Sequence, residues 1–158
     1  MNSLPDGMTP RGMKAFDMVP PRIVAVDYGK KRVGLALADP LRFFAQPFGT
    51  YSPAEAVLKL QELHRTERIE TIVIGWPLTP DGEEGQATGW VQQYINRLRN
   101  ALPGVTIIKW DERYSSERAK VAIREAGARR KARRDKARVD AAAAALLLQE
   151  YLEQEPTV

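Results

Sequence analysis

Apolar positions in this chain follow two rhythms, and the switches between them mark out the elements. Ile23-Val24-Ala25-Val26 is a short unbroken apolar run closed by Asp27-Tyr28-Gly29, which predicts a buried strand and a turn. Val33–Ala38 is a second such run, close enough behind the first to pair back on it as a hairpin. Phe43–Tyr51 predicts a third strand, which Pro47 confines to a sheet edge or a bulge. The rhythm then changes. Ser52-Pro53-Ala54-Glu55 supplies an N-cap, a proline at the first helical position and a reciprocal glutamate. Ala56, Leu60 and Leu63 mark one face of the helix that follows, to about Thr66.

Thr71–Ile74 predicts a fourth, fully apolar strand stopped by Gly75-Trp76-Pro77, and Asp81-Gly82 is a turn signal. Residues 85–100 read as a helix, with Trp90, Tyr94 and Leu98 at four-residue spacing. Pro103-Gly104 ends it, and Val105–Trp110 is a fifth strand. Ser115 or Ser116 caps a further helix closed by Gly127, and a last helix runs from about Asp135 to Glu153. Three successive strands, then alternating helices and strands, predict an α/β fold: a mixed five-stranded sheet flanked by helices. Residues 1–20 hold all four methionines and no sustained period. They are expected to be a flexible extension to a single domain over residues 21–158.

Composition narrows the chemistry. A chain of 158 residues suits one domain that buries roughly two thirds of its unfolded surface. No window approaches the roughly 18 apolar residues of a membrane span, so no membrane partner is expected; the lack of a signal-peptide core and of any cysteine agrees with a cytoplasmic location. With no cysteine, disulfides, thiolate catalysis and Cys-ligated metals are excluded. The single histidine, His64, removes every mechanism that needs two. It lies in a helix and is given no role.

Charge is distributed unevenly. Residues 129–138 contain Arg129, Arg130, Lys131, Arg133 and Arg134 among seven basic residues, against one acid. That stretch carries +6, which leaves the remainder of the chain at −2 out of the overall +4. Either it is a solvated loop or it grips a polyanion; five arginines at this density favour nucleic acid.

Three acids stand at the edges of three different elements: Asp27 after the first strand, Glu112 after the fifth, and Asp140 in the last helix. Each has a plain alternative, as a turn residue, a salt-bridged strand exit or a helix-dipole partner. Brought together, they form an oxygen cage for a hard divalent cation. A carboxylate cage beside a basic segment points to phosphodiester chemistry. Asp111, adjacent to Glu112, could share or replace its duty.

The motifs match a known family. Ile23-Val24-Ala25-Val26-Asp27-Tyr28-Gly29-Lys30-Lys31-Arg32-Val33-Gly34-Leu35-Ala36 resembles the opening of the YqgF/RuvX family. So do Ala38-Asp39-Pro40, Ile74-Gly75-Trp76-Pro77-Leu78 with Asp81-Gly82, and Trp110-Asp111-Glu112-Arg113-Tyr114-Ser115, in one order over about residues 22–153. Val139-Asp140 and the alanines after it resemble the family's final acidic helix, although the alanine run replaces a more varied segment.

The resemblance implies a ribonuclease H-like fold related to the RuvC resolvases. It also implies a hydrolase acting on ester bonds: a nuclease that matures the 5′ end of pre-16S ribosomal RNA in ribosome biogenesis, or else a Holliday-junction resolvase. Asp27, Glu112 and Asp140 match the family's acids and would hold Mg²⁺ or Mn²⁺. Read from the residues themselves, Lys30, Lys31 and Arg32 either contact phosphates or simply decorate a hairpin tip, Arg113 is a further candidate for phosphate charge, and the basic segment would hold the strand without reading its sequence. Resolution of a junction needs a two-fold homodimer, whereas trimming of RNA can be the work of a monomer with ribosomal particles as partners. Two other classes compete: a nucleic-acid-binding module without catalysis, and a phosphotransferase with an Asp-x-Gly phosphate loop. The second normally needs two lobes, and this chain has the length of about one.

Overall fold

The structure is a computed structural model that describes residues 20–112 and 135–154. Five strands form one sheet: β1 (Arg22–Tyr28), β2 (Val33–Ala38), β3 (Ala45–Tyr51), β4 (Ile69–Trp76) and β5 (Thr106–Asp111). Three helices accompany them among the described residues: α1 (Pro53–Glu67), α2 (Gln86–Ala101) and α3 (Asp135–Gln154). The spatial order is β3-β2-β1-β4-β5. β1 pairs antiparallel with β2 and β2 with β3, while β1–β4 and β4–β5 are parallel. This is the mixed sheet that the sequence pattern predicts. The extension at 1–19, the helix expected after Ser115 or Ser116, and Arg129–Arg134 of the basic segment lie outside the described residues.

The pleat sorts the apolar residues onto two faces. Val24, Val26, Val33, Leu35, Ile72 and Ile74 point to one side, where they pack with Leu60 of α1 and Val91, Tyr94, Ile95 and Leu98 of α2. Ile23, Ala25, Ala36 and Val73 point to the other, under Ala144, Leu147, Leu148, Tyr151 and Leu152 of α3. Burial on both faces is why β1 and β4 read as continuous rather than alternating apolar runs. The small residues Ala25 and Ala36 let α3 lie close along β1 and β2.

Local signals hold where they involve capping. Ser52 Oγ accepts the backbone N–H of Glu55 at 3.2 Å, as expected of an N-cap. Thr88 closes the start of α2, its hydroxyl accepting the N–H of Gly85 at 3.0 Å. His64 supports the fold through its ring, whose Nδ1 accepts the N–H of Ile69 at 2.9 Å and fixes the passage from α1 to β4. Tyr94 ties α2 to α1 by donating to Pro53 O at 2.8 Å. Tyr94→Phe leaves that carbonyl without this donor, so stability should fall by about 1 kcal/mol. Urea unfolding should report a lower midpoint at an unchanged slope.

Strand β1 runs on through Asp27 and Tyr28, which the sequence reads as a turn, because both pair with β2. Two further strand boundaries differ from the pattern. Phe43 and Phe44 precede β3 instead of starting it. The Asp39 carboxylate accepts the N–H groups of Leu41, Phe43 and Phe44 at 3.2, 2.8 and 2.6 Å, which winds this stretch into a loop. These bonds hold the Asp39 carboxyl below its ordinary pKa. At the other boundary, β4 does not stop at Gly75. Parallel pairing with β5 runs on through Gly75–Trp110 and Trp76–Asp111, and ends at Pro77, which has no N–H to extend it.

Candidate active site

The pairing places Asp27 in a row of residues with little bulk beside it. Asp27 pairs directly with Gly34 on β2. On β4, Gly75 follows Ile74, the partner of Val26. Alternation along each strand sends Asp27, Gly34 and Gly75 to the α3 face of the sheet. A carboxylate therefore stands between two positions that carry no side chain.

The glycines leave room for the other two acids. A Cβ on Gly34 would overlap the carbonyl of Asp140 and come within 2.9 Å of the Ala141 nitrogen, so α3 lies directly on this strand. A Cβ on Gly75 would overlap the Glu112 carboxylate and approach Leu147 Cδ1 to 3.1 Å. Three elements thus bring Asp27, Glu112 and Asp140 to one end of the sheet. The same alternation separates Glu112 from Asp111, which points with Lys109 to the opposite face.

Electrostatics register the convergence. The Asp27 carboxyl is pushed up from 3.8 to about 7, first by burial, then by the negative charges of Glu112 and Asp140. Among the described residues, no three acidic or histidine side chains are drawn tightly enough to hold an ion as they stand. Asp140 instead accepts from Arg32 Nε at 3.3 Å. The donor set nevertheless suits Mg²⁺ or Mn²⁺, being all oxygen and anionic. The mutual repulsion of these acids is what a divalent cation would neutralise.

A stability measurement follows from this. Between pH 3.8 and about 7 the native Asp27 holds its proton more tightly than the unfolded chain does. Stability in chelator should therefore fall as pH rises through that window, and level off above it. Added Mg²⁺ or Mn²⁺ should raise the melting temperature most at the upper end. Asp27→Asn should flatten the pH slope; a slope unchanged in the variant would mean that another group is titrating.

Asp27 and Glu112 open into a cleft of about 280 Å³ lined also by Tyr28, Gly29, Lys30, Gly75, Pro77, Ala87, Trp90 and Val91. Of the cations expected to meet phosphate, Lys30 faces this cleft, Lys31 is exposed on the adjoining turn, and Arg32 is paired with Asp140. Arg113, Arg129, Arg130, Lys131, Arg133 and Arg134 lie outside the described residues. Sequence reasoning missed Trp90 as a cleft residue and the two glycines as spacers. Glycine inside a strand pattern signals close approach of another group, which was the available clue for Gly34 and Gly75.

The profile of the family described as "RuvX: Holliday junction resolvase" matches residues 21–154. The chain belongs to the RuvX family. A relative from Salinibacter ruber, named "Putative pre-16S rRNA nuclease", is 54% identical over 131 residues, 83% of this chain and 92% of that protein. A relative of the same name from Chlorobaculum tepidum is 43% identical over 132 residues, 84% and 93% of the two chains. Among solved structures, Thermus thermophilus RuvC in complex with a Holliday junction substrate is similar with a TM-score of 0.48 at 14% identity. That alignment covers 80% of this chain and 91% of RuvC. The RuvX chain has the mixed five-stranded sheet flanked by helices expected from its sequence pattern, with Asp27, Glu112 and Asp140 at one end of it.

Proposed function

We propose that this protein is a divalent-metal-dependent endonuclease that hydrolyses phosphodiester bonds of RNA, acting in 5′-end maturation of pre-16S ribosomal RNA. The observation that carries the proposal is the convergence of Asp27, Glu112 and Asp140, from three separate elements, with Asp27 raised to about 7 by its burial and its neighbours. Such clustering of like charge is costly to the fold and is characteristic of functional sites.

Asp27, Glu112 and Asp140 would hold Mg²⁺ or Mn²⁺. The bound ions supply an activated water and stabilise charge on the leaving oxygen. Asp27, on a strand buried on both faces, fixes the position at which the phosphate reacts. Glu112 and Asp140 set the two flanks, with Glu112 seated on Gly75 and Asp140 beside Gly34. Arg32, now paired with Asp140, would be available to the phosphate once that carboxylate is engaged elsewhere. Lys30 supplies positive charge at the cleft mouth. RNA is favoured over branched DNA by the names of the close relatives. The family description favours the junction as the second reading.

The test uses end-labelled precursor 16S 5′ fragment, single-stranded DNA and a four-way junction, each with Mg²⁺, Mn²⁺ or chelator. Metal-dependent cutting of the RNA alone is the expected result. Symmetric nicking of the junction would transfer the assignment to a resolvase, and would also require a dimer. Intact substrates in every lane, with RNA still bound, would leave a binding module.

A further inference from the structure

Hydrolysis by carboxylates and metal makes no use of the aromatic side of the cleft. We propose that Trp90 is a stacking platform for one unpaired nucleobase of the substrate, beside the phosphate held at Asp27. The inference rests on the nuclease reading and adds to it a requirement for single-stranded character at the cleft.

Trp90 lines the same cleft as Asp27 and Glu112. The Lys30 ammonium sits 3.4 Å from the centre of its ring, so the ring offers a face that already attracts a cation. A nucleobase is the other common partner for such a face in a basic, phosphate-binding groove. The two partners differ in burial. Lys30 is exposed on the turn after β1, whereas Trp90 is half-buried on α2. One turn further along α2, Tyr94 packs on Tyr28 at 4.7 Å between ring centres and donates to Pro53 O. The platform therefore sits on a helix held by its neighbours, and its present occupant is a long, exposed side chain. A base arriving on Trp90 displaces Lys30, which remains within the cleft to meet the adjoining phosphate.

The second lysine-covered tryptophan provides a contrast. Lys109 lies 4.0 Å from the centre of Trp76, but that ring is only 7% exposed and belongs to the core between the sheet and the helices. It lines a separate hollow with Glu84, Thr88 and Gln92, whose walls include none of Asp27, Glu112 and Asp140. The cleft at Trp90, about 280 Å³, is slightly below the size that takes a drug-sized ligand. A hollow of that size beside a single indole suits one unpaired base, which is the requirement the proposal makes.

The experiment compares two probes of equal length and charge on the full chain in chelator, where nothing is cut: a short single-stranded oligouridylate and its fully abasic counterpart. Wild type is expected to bind the base-bearing strand at least about tenfold more tightly. Trp90→Ala should abolish that preference while leaving the abasic strand within about twofold of wild type. Trp90→Phe should keep most of it, which rules out misfolding as the cause. Lys30→Ala should weaken both probes alike. Equal losses on both probes in Trp90→Ala, or an unchanged preference, would overturn the platform. Failure of wild type to bind either probe, in chelator or with Ca²⁺ added, would overturn the nuclease reading and the platform with it.

Discussion

Asp27→Asn should lower the cleavage rate by more than about a thousandfold while leaving the protein folded and more stable than wild type in chelator above neutral pH. A residue that merely orients a metal ligand costs roughly 10–100-fold when lost, and Asp27 is assigned to the metals directly. The two halves of the expectation have one cause. Asp27 is the acid whose ionisation the fold resists, through burial and through Glu112 and Asp140, and asparagine removes that charge at nearly constant volume. A structural residue would give the opposite pairing, with activity and stability falling together. Single-turnover cleavage and thermal melts on the same preparations decide the matter. Retained cleavage by Asp27→Asn would remove the acid from the mechanism.

Gly34→Ala should cost about 3 kcal/mol or more, at the upper end for an overpacking substitution. The added methyl would meet the Asp140 carbonyl and the Ala141 nitrogen, which are helix backbone and cannot rotate away. Helix α3 must lift, loosening Ala144, Leu147 and Leu148 from the sheet and carrying Asp140 away from Asp27. Gly89→Ala is the matched control. A methyl group there meets nothing within 4 Å, in the first turns of α2. It should stabilise by about 0.5–1 kcal/mol, because alanine is the better helix former. Denaturant melts of the two variants should therefore move in opposite directions. Wild-type stability in Gly34→Ala would mean that α3 does not lie on β2 as described.

The elements of this fold were legible because each has one dominant local cause. Ser52-Pro53-Ala54-Glu55 could scarcely be anything but a helix start, and β1 is a strand because it is apolar on both faces. The failures occurred where a tertiary contact overrode the local signal. Gly75 reads as a breaker in isolation, yet pairing with β5 carries β4 through it. Phe43 and Phe44 read as strand, but one carboxylate, Asp39, gathers their amides into a loop. The same division holds at the site. Three acids at element ends were visible as candidates. That Glu112 rather than Asp111 faces Asp27 depends on a pleat whose phase only the completed sheet fixes. Lys30 and Trp90, 60 positions apart in sequence, carry no mutual signal along the chain.

Helix α3 both roofs one face of the sheet and delivers Asp140. A chain emerging from the ribosome therefore holds Asp27 and Glu112 long before it can complete the set. Under the reading proposed above, such an unfinished chain is harmless to the RNA around it. On that reading the site would be armed by the same docking event that closes the core, and any excursion that unseats α3 would disarm it again.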